Sequence, residues 1–204
     1  FEPVNKYDSG CSAGDNAAGK CFGGAARLMT FIDTRRDAVE GAGGNVITLV
    51  GGDQFQGSLY FTTYKGKMNA EFLNMLEVDA MAVGNHEFDD GPPGLSDLAD
   101  RANCPVMCAK GEMSGEPLLD GKIPPYTILE VGGEKLGIIG LLTPDTAEIS
   151  SPGDTVKFFT EESVLPALIE KLKGDGINKI ILLTHIGYDR DLELAASIAG
   201  IDVI

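Results

Sequence analysis

At 204 residues, the chain has the length of one ordinary domain and is long enough to bury a hydrophobic core. Its hydrophobic content of 43% and charged content of 23% are typical of a folded globular protein and exclude a disordered one. The net charge of -15 repels nucleic acid and anionic membrane surfaces and argues against nucleic acid as a partner, and it would repel a small anion unless a bound divalent cation reversed the local sign.

The first segment of the chain is small and polar, and Cys11 and Cys21 bracket it as CSAGDNAAGKC. A disulfide there would close a short loop and restrain it, so we predict this bridge in preference to free thiols. For Cys104 and Cys108, the sequence favours neither state. The chain contains no CxxC pair, which argues against a zinc knuckle.

Helix-like and strand-like segments alternate along the rest of the chain. Apolar residues at helical spacing predict helices over residues 23–40, 68–78, 94–103, 163–176 and 190–200. Apolar runs that end in glycine or turn residues predict strands over residues 45–53, 79–84, 105–109, 126–131, 134–142 and 178–187, with another beginning at 202–204. Gly132 and Gly133 indicate a hairpin, and residues 111–125 are predicted to form a surface loop.

The alternation predicts the fold class. Strands that are buried on both faces and separated by helices indicate a layered α/β/α domain. No linker divides the chain, so residues 1–204 are predicted to form one domain. No segment is apolar enough to span a membrane. The first residue is Phe1 rather than Met, which we interpret as the mark of a processed or excised piece, so no location follows from the lack of a signal peptide.

Polar residues follow three of the predicted strands. TLVGG leads to Asp53, AMAVG leads to Asn85-His86-Glu87 with Asp89 just beyond, and IILLT leads to His185. Ligands of α/β sheets collect beyond the carboxyl ends of the strands, and both histidines of the chain lie at such ends. Carboxylate, amide oxygen and imidazole suit Mn²⁺, Zn²⁺ or Mg²⁺, so we predict a metal site. Two ions bridged by one carboxylate would clamp the oxygens of a phosphoryl transfer.

Each of these features also has a structural interpretation. The GGD sequence is typical of a turn, His185 could be a hydrogen-bonded structural imidazole, and Asn85 could occupy a tight turn. Their coincidence at three strand ends favours the metal site. A phosphate-binding loop over residues 52–58 is rejected because no lysine precedes Ser58, and the GxSxG motif of serine hydrolases is absent.

Four segments together resemble the N-terminal metallophosphoesterase domain of the 5′-nucleotidases, a calcineurin-like group that includes UDP-sugar hydrolases. They are GKCFGGAARL, GDQFQGSLYFTTYKG, DAMAVGNHEFDDG and NKIILLTHIGYDRD, and they extend over nearly the whole chain. The resemblance implies a metallophosphoesterase sandwich and hydrolysis of nucleoside 5′-monophosphates, with attack of metal-bound water on phosphorus and no covalent intermediate. It also implies two divalent ions as cofactors, such as Mn²⁺ or Zn²⁺, and a periplasmic, cell-surface or secreted location.

The resemblance implies a role for five residues. Asp53 is similar to the carboxylate that bridges the two ions, and Asn85 and His185 resemble ligands of the second ion. His86 is similar to the catalytic histidine that contacts the phosphate. Asp89 resembles the acid that orients this histidine and sets its protonation.

Several parts of the family pattern do not occur within the chain. An Asp-x-His strand is expected before Phe1, a Gly-His-x-His or Gly-His-x-Asn motif after Ile204, and a C-terminal domain with the nucleoside pocket beyond that. We therefore expect an incomplete sandwich that is inactive alone and works with its own C-terminal domain. Glu87 and Phe88 are expected to support the site without taking part in the chemistry. THIG stands where relatives often have GHSG.

Other functions on the same core stay open. A UDP-sugar hydrolase, a 2′,3′-cyclic nucleotide phosphodiesterase and a thiosulfate-ester hydrolase would use similar metal ligands, and the FTTYKG segment favours the nucleotidases among them. The alternative from another class is a non-catalytic surface-binding homologue. The presence of His86 and Asp89 argues against it, because a binding module does not need this pair.

Overall fold

A computed structural model describes residues 1–7 and 9–204. Its strands are β1 (Val4–Asn5), β2 (Cys21–Phe22), β3 (Leu49–Val50), β4 (Ala80–Ala82), β5 (Val106–Met107), β6 (Gly111–Glu112), β7 (Tyr126–Val131), β8 (Glu134–Leu142), β9 (Lys157–Phe158) and β10 (Ile180–His185). Its helices are α1 (Ala13–Ala17), α2 (Ala25–Glu40), α3 (Leu59–Tyr64), α4 (Gly66–Met75), α5 (Gly91–Arg101), α6 (Thr146–Ile149), α7 (Glu161–Gly174) and α8 (Tyr188–Ser197), with a 3₁₀ turn at His86–Phe88.

Two three-stranded sheets form the centre of the fold. β4 pairs in parallel with β3 and β5, and β8 pairs in parallel with β10 and antiparallel with β7. Successive side chains alternate between the two faces: Ala80 and Ile138 meet between the sheets, whereas Met81 packs towards α3–α5 and Ile139 packs towards α7 and α8. This arrangement confirms the predicted α/β sandwich and shows that two sheets make up its central layer.

The predicted helices and strands are present, with shifted ends. The hairpin at Gly132 and Gly133 is confirmed, and Val203 forms a parallel bridge to Ile181 of β10, as expected for a strand that begins there. The strand predicted over residues 45–53 is paired only at Leu49–Val50. Helix α2 has no buried residue, and its Phe31 is 58% exposed. The helical spacing of apolar residues therefore predicted the helix correctly, but these residues are not buried against the rest of the described structure.

The prediction of a surface loop over residues 111–125 is wrong in part. Residues Gly111–Glu112 form β6, which pairs antiparallel with β9. Met113 and Leu119 are buried in one cluster with Val83 and Phe88. Isolated apolar residues between glycines and prolines have no regular period, so the sequence did not indicate this burial.

The cysteines divide into one bridge and two free thiols. The predicted disulfide between Cys11 and Cys21 is present. Cys104 and Cys108 are free and buried in different apolar clusters, and burial raises the pKa of each thiol to about 11. Within the described part of the chain, no helix combines the length and the apolar character that a membrane crossing requires.

A buried ion pair joins the start of α7 to the segment after β5. Lys110 is fully buried and its ammonium contacts the Glu161 carboxylate, which also accepts a hydrogen bond of 3.0 Å from the Arg190 guanidinium of α8. Burial tends to raise the pKa of Glu161, but the hydrogen bonds from Lys110 and Arg190 outweigh it and lower that pKa below its ordinary value. The pair therefore stabilises the ionised carboxylate inside the fold.

Candidate active site

The loop after β3 and the loop after β4 touch through their backbones. Gly52 has a φ of 95°, and a Cβ at this position would lie 2.6 Å from the backbone nitrogen of Gly84. Only glycine combines that φ with so close an approach. The next residue, Asp53, has a φ of 55°, and its Oδ1 accepts a hydrogen bond of 3.0 Å from the backbone N–H of His86. The two strand ends are therefore held in direct contact at Asp53.

The buried Glu87 carboxylate ties these two loops together. Its Oε2 accepts hydrogen bonds from the backbone N–H groups of Asp53 (2.8 Å) and Gly84 (2.6 Å). Its Oε1 accepts from those of Gln54 (2.6 Å) and Phe55 (3.2 Å). Burial has the largest effect and raises the pKa of Glu87 above its ordinary value, whereas the four N–H donors favour the ionised carboxylate and oppose that shift. With both oxygens occupied and no exposed surface, Glu87 supports the loops and cannot contact a ligand.

His185, at the end of β10, lies against Asp53. Its Nδ1 is 2.8 Å from the carbonyl oxygen of Gly51, and its Nε2 is 3.0 Å from Asp53 Oδ2. A carbonyl oxygen only accepts hydrogen bonds, which assigns the proton of a neutral ring to Nδ1 and leaves a lone pair on Nε2. Two acceptors then face each other, an arrangement that a bound cation would satisfy. Backbone hydrogen bonding of the other ring nitrogen is also typical of metal-binding histidines.

Asn85 is the third donor that the sequence predicts for a divalent ion. It is half-buried and lies between Gly84 and His86, whose backbones both contact the Asp53 segment. An amide oxygen, a carboxylate and an imidazole are the mixed oxygen and nitrogen donors that Mn²⁺ or Zn²⁺ accepts, so the chemistry of the three predicted residues suits such an ion. No group of three or more His, Cys, Asp or Glu side chains arranged to hold a metal occurs among residues 1–7 and 9–204. The predicted set has only two such residues, with Asn85 as the third donor.

His86 and Asp89 form a hydrogen-bonded pair on the 3₁₀ turn after β4. His86 Nδ1 is 2.6 Å from Asp89 Oδ2, so the hydrogen bond to Asp89 uses Nδ1 and not Nε2. The His86 side chain is 43% exposed. The hydrogen bond to Asp89 is the main cause that raises the pKa of His86 above its ordinary value. Burial opposes this shift, and the negative charges of Asp53, Asp89 and Glu87 add to it. The pair therefore favours a protonated, outward-facing imidazole.

Two further side chains bind Asp89. Gln56 Nε2 donates to Asp89 Oδ2 at 2.8 Å, and the Ser150 hydroxyl donates to Asp89 Oδ1 at 2.8 Å. Gln56 belongs to the loop after β3, and Ser150 follows α6. Burial tends to raise the pKa of Asp89, but the hydrogen bonds from His86, Ser150 and Gln56 outweigh it and lower that pKa.

The structure brings the sequence-predicted residues to one edge of the sandwich. Asp53, His86, Asp89 and His185 are connected by the contacts above, and Asn85 lies among them in the chain. Sequence reasoning missed the hydrogen bonds from Gln56 and Ser150. Gln56 lay inside a recognised motif without an assigned role. Ser150 is 61 residues from Asp89, and no sequence pattern marked it.

Comparison with known proteins gives a consistent result. The chain is 41% identical over 190 residues to a 5′-nucleotidase of Rattus norvegicus, covering 92% of this chain and 32% of that protein. It is 41% identical over 202 residues to snake venom 5′-nucleotidase of Naja atra, covering 97% of this chain and 36% of that protein. A crystal structure of a 5′-nucleotidase precursor from Thermus thermophilus matches with a TM-score of 0.87 and 40% identity, covering 99% of this chain and 38% of that chain.

The matches cover nearly all of this chain but only part of each relative. The chain is aligned almost completely, yet it spans about a third of the length of the curated relatives named above. No protein-family model matches it. The similarity therefore concerns one part of longer proteins, and that part includes every residue of the candidate site.

Proposed function

Because this chain belongs to the 5′-nucleotidase family, we propose that it carries the catalytic core of an enzyme that hydrolyses nucleoside 5′-monophosphates to a nucleoside and phosphate. The observation that carries the proposal is the contact of Asp53 with both His185 and the backbone of His86. This contact gathers candidate metal ligands and a candidate catalytic pair at one edge. A metal-binding group beside a paired histidine and acid is the chemistry that phosphate ester hydrolysis needs.

Asp53, Asn85 and His185 are the residues that would hold a divalent ion, with Asp53 also available to a second one. When bound, such ions stabilise the negative charge of the phosphate and lower the pKa of water. They would also supply positive charge that a chain with a net charge of -15 lacks. The opposed acceptors on His185 and Asp53 support this assignment.

His86 would contact the substrate directly, and Asp89 would act on it through His86. Asp89 holds Nδ1 of His86 at 2.6 Å, so Nε2 can donate a hydrogen bond to a phosphate oxygen. A protonated imidazole in that position would offset negative charge that develops as the ester bond breaks. Asp89 would keep the ring oriented and protonated, which matches the direction of the His86 pKa shift.

The test uses the full polypeptide encoded by the gene, assayed with Mn²⁺ or Zn²⁺. Phosphate release from AMP is compared with hydrolysis of UDP-glucose and 2′,3′-cyclic AMP, since those substrates belong to the alternatives on the same core. We expect His86→Ala to lower kcat on AMP by about 10²–10⁴-fold. Glu148→Gln, at an exposed position on α6, serves as the control. An unchanged rate in His86→Ala would refute the role of this residue.

Metal content distinguishes a variant that has lost a metal ligand from one that has lost a member of the catalytic pair. Elemental analysis of the purified protein should give two ions per chain in the wild type and fewer in Asp53→Asn and His185→Ala, whereas His86→Ala should retain them. Equal metal content in all four proteins would exclude Asp53 and His185 as ligands. Removal of the ions by a chelator should abolish phosphate release, and added Mn²⁺ should restore it.

We also propose a periplasmic, cell-surface or secreted location. Disulfides persist in oxidising compartments, and Cys11 is bridged to Cys21. The venom relative is consistent with export. A C-terminal domain that recognises the nucleoside stays a prediction, and the length of the relatives leaves room for it.

A further inference from the structure

The Asp89 carboxylate is held from three separate parts of the chain. It follows the 3₁₀ turn after β4, where His86 contacts its Oδ2. Gln56 reaches the same oxygen from the loop after β3, and Ser150 reaches Oδ1 from the segment after β8 and α6. We propose that Gln56 and Ser150 are positioning residues that fix Asp89 and, through it, the catalytic orientation of His86. This inference rests on the proposed function.

One hydrogen bond from His86 would not by itself fix the carboxylate. A carboxylate has two oxygens that can accept about four hydrogen bonds, and its terminal torsion is broad and two-fold. The Ser150 hydroxyl and the Gln56 amide occupy different oxygens, each at 2.8 Å, so together they define the plane of the group. The imidazole, bound to that plane at 2.6 Å, then has one favoured orientation.

Both donors are placed by features of their own backbone. Gln56 has a φ of 71°, a conformation that side-chain-bearing residues rarely adopt, and it lies in the loop that Glu87 ties down through Gln54 and Phe55. Ser150 is half-buried, and its backbone N–H donates to the carbonyl of Thr146 at 3.1 Å. The strained backbone at Gln56 is consistent with a functional constraint on where this side chain points.

Neither donor brings a charge to the site. A lysine or arginine at either position would also bind Asp89, but it would compete with His86 for the carboxylate charge. A hydroxyl and an amide stabilise the ionised carboxylate and leave its charge available to the imidazole. Uncharged donors are therefore expected of residues that position Asp89, whereas a charged donor would be expected if the contact served only as an ion pair between two loops.

Steady-state kinetics on AMP with the full, metal-loaded polypeptide tests the proposal. We expect Ser150→Ala to lower kcat about 10–100-fold with KM changed less than about twofold, and Ser150→Thr to restore kcat to within about threefold. Gln56→Ala should lower kcat in the same way. Ser151→Ala, at the exposed neighbouring serine, is the matched control and should be unchanged. Ser150→Ala with a wild-type kcat would overturn the proposal while leaving the proposed function intact.

An NMR measurement tests the positioning role even if the wild type does not hydrolyse AMP. The proton on His86 Nδ1 that bonds Asp89 should give a low-field NMR signal, identified by its absence in His86→Ala. Loss or an upfield shift of this signal in Ser150→Ala, but not in Ser151→Ala, supports the positioning role even if the substrate assignment fails. An unchanged signal in Ser150→Ala overturns it.

Discussion

Glu87→Gln is the substitution for which the structure gives the sharpest expectation. The side chain keeps its size, but one carboxylate oxygen becomes an NH₂ group. Each oxygen of Glu87 accepts two backbone N–H groups, so either orientation of the amide leaves two buried donors unpaired. Hydrogen bonds to an ionised group contribute about 1.5–3 kcal/mol each, so the loss is about 3–6 kcal/mol. Domains of this size are stable by only about 5–15 kcal/mol.

Urea unfolding followed by circular dichroism measures this loss. We expect the midpoint for Glu87→Gln to fall sharply with an unchanged m-value, because the folded state loses stability without a change in the surface exposed on unfolding. Glu148→Gln, at an exposed position, should leave the midpoint unchanged. A loss below about 1 kcal/mol for Glu87→Gln would refute the view that this carboxylate holds the two loops together.

Three further predictions concern the rest of the fold. Lys110→Met should cost about 3 kcal/mol in urea unfolding, because it breaks a buried ion pair. Since the folded pKa of Glu161 is lowered, the stabilisation from this pair is present above about pH 4.5 and lost as the pH falls, and the variant should show a weaker acid dependence because only Arg190 still binds Glu161. Cys104 and Cys108, with a pKa of about 11, should react with iodoacetamide at pH 8 only after unfolding, as mass spectrometry would show. Gly52→Ala should lower the free energy of unfolding by about 2 kcal/mol, because alanine disfavours a φ of 95° and its Cβ would meet the neighbouring loop.

The sequence was informative where apolar residues form a continuous run or recur at helical spacing. The apolar runs of β4, β8 and β10 predicted strands that are buried on both faces, and the structure confirms this for β4 and most of β8, whereas β10 is buried on one face and half-buried on the other. Periodicity did not reveal that two sheets share the central layer, because a residue that faces a second sheet and one that faces a helix are both simply apolar. The burial of Met113 and Leu119 was missed for a related reason, since neither belongs to a repeating pattern.

The candidate site shows a similar division. Polar residues directly after strands were predictable, because a strand end fixes where the next side chain lies. Asp53 and His185 met as the strand ends indicated, although they are far apart in the sequence. The donors to Asp89 were not predictable, because Ser150 reaches it from a loop whose path depends on the packing of the whole sandwich. Such contacts arise from tertiary structure and leave no local signature.

The three carboxylates of the site differ in how their charge is balanced, and this difference supports the proposed position of the cation. Glu87 receives four backbone N–H groups and is fully satisfied. Asp89 receives an imidazole, a hydroxyl and an amide. Asp53 receives one backbone N–H on Oδ1, while its Oδ2 faces His185 Nε2, whose other ring nitrogen already has a carbonyl partner. Asp53 is therefore the carboxylate with the least compensation, and a divalent ion bound there would balance its charge and satisfy the imidazole lone pair at the same time.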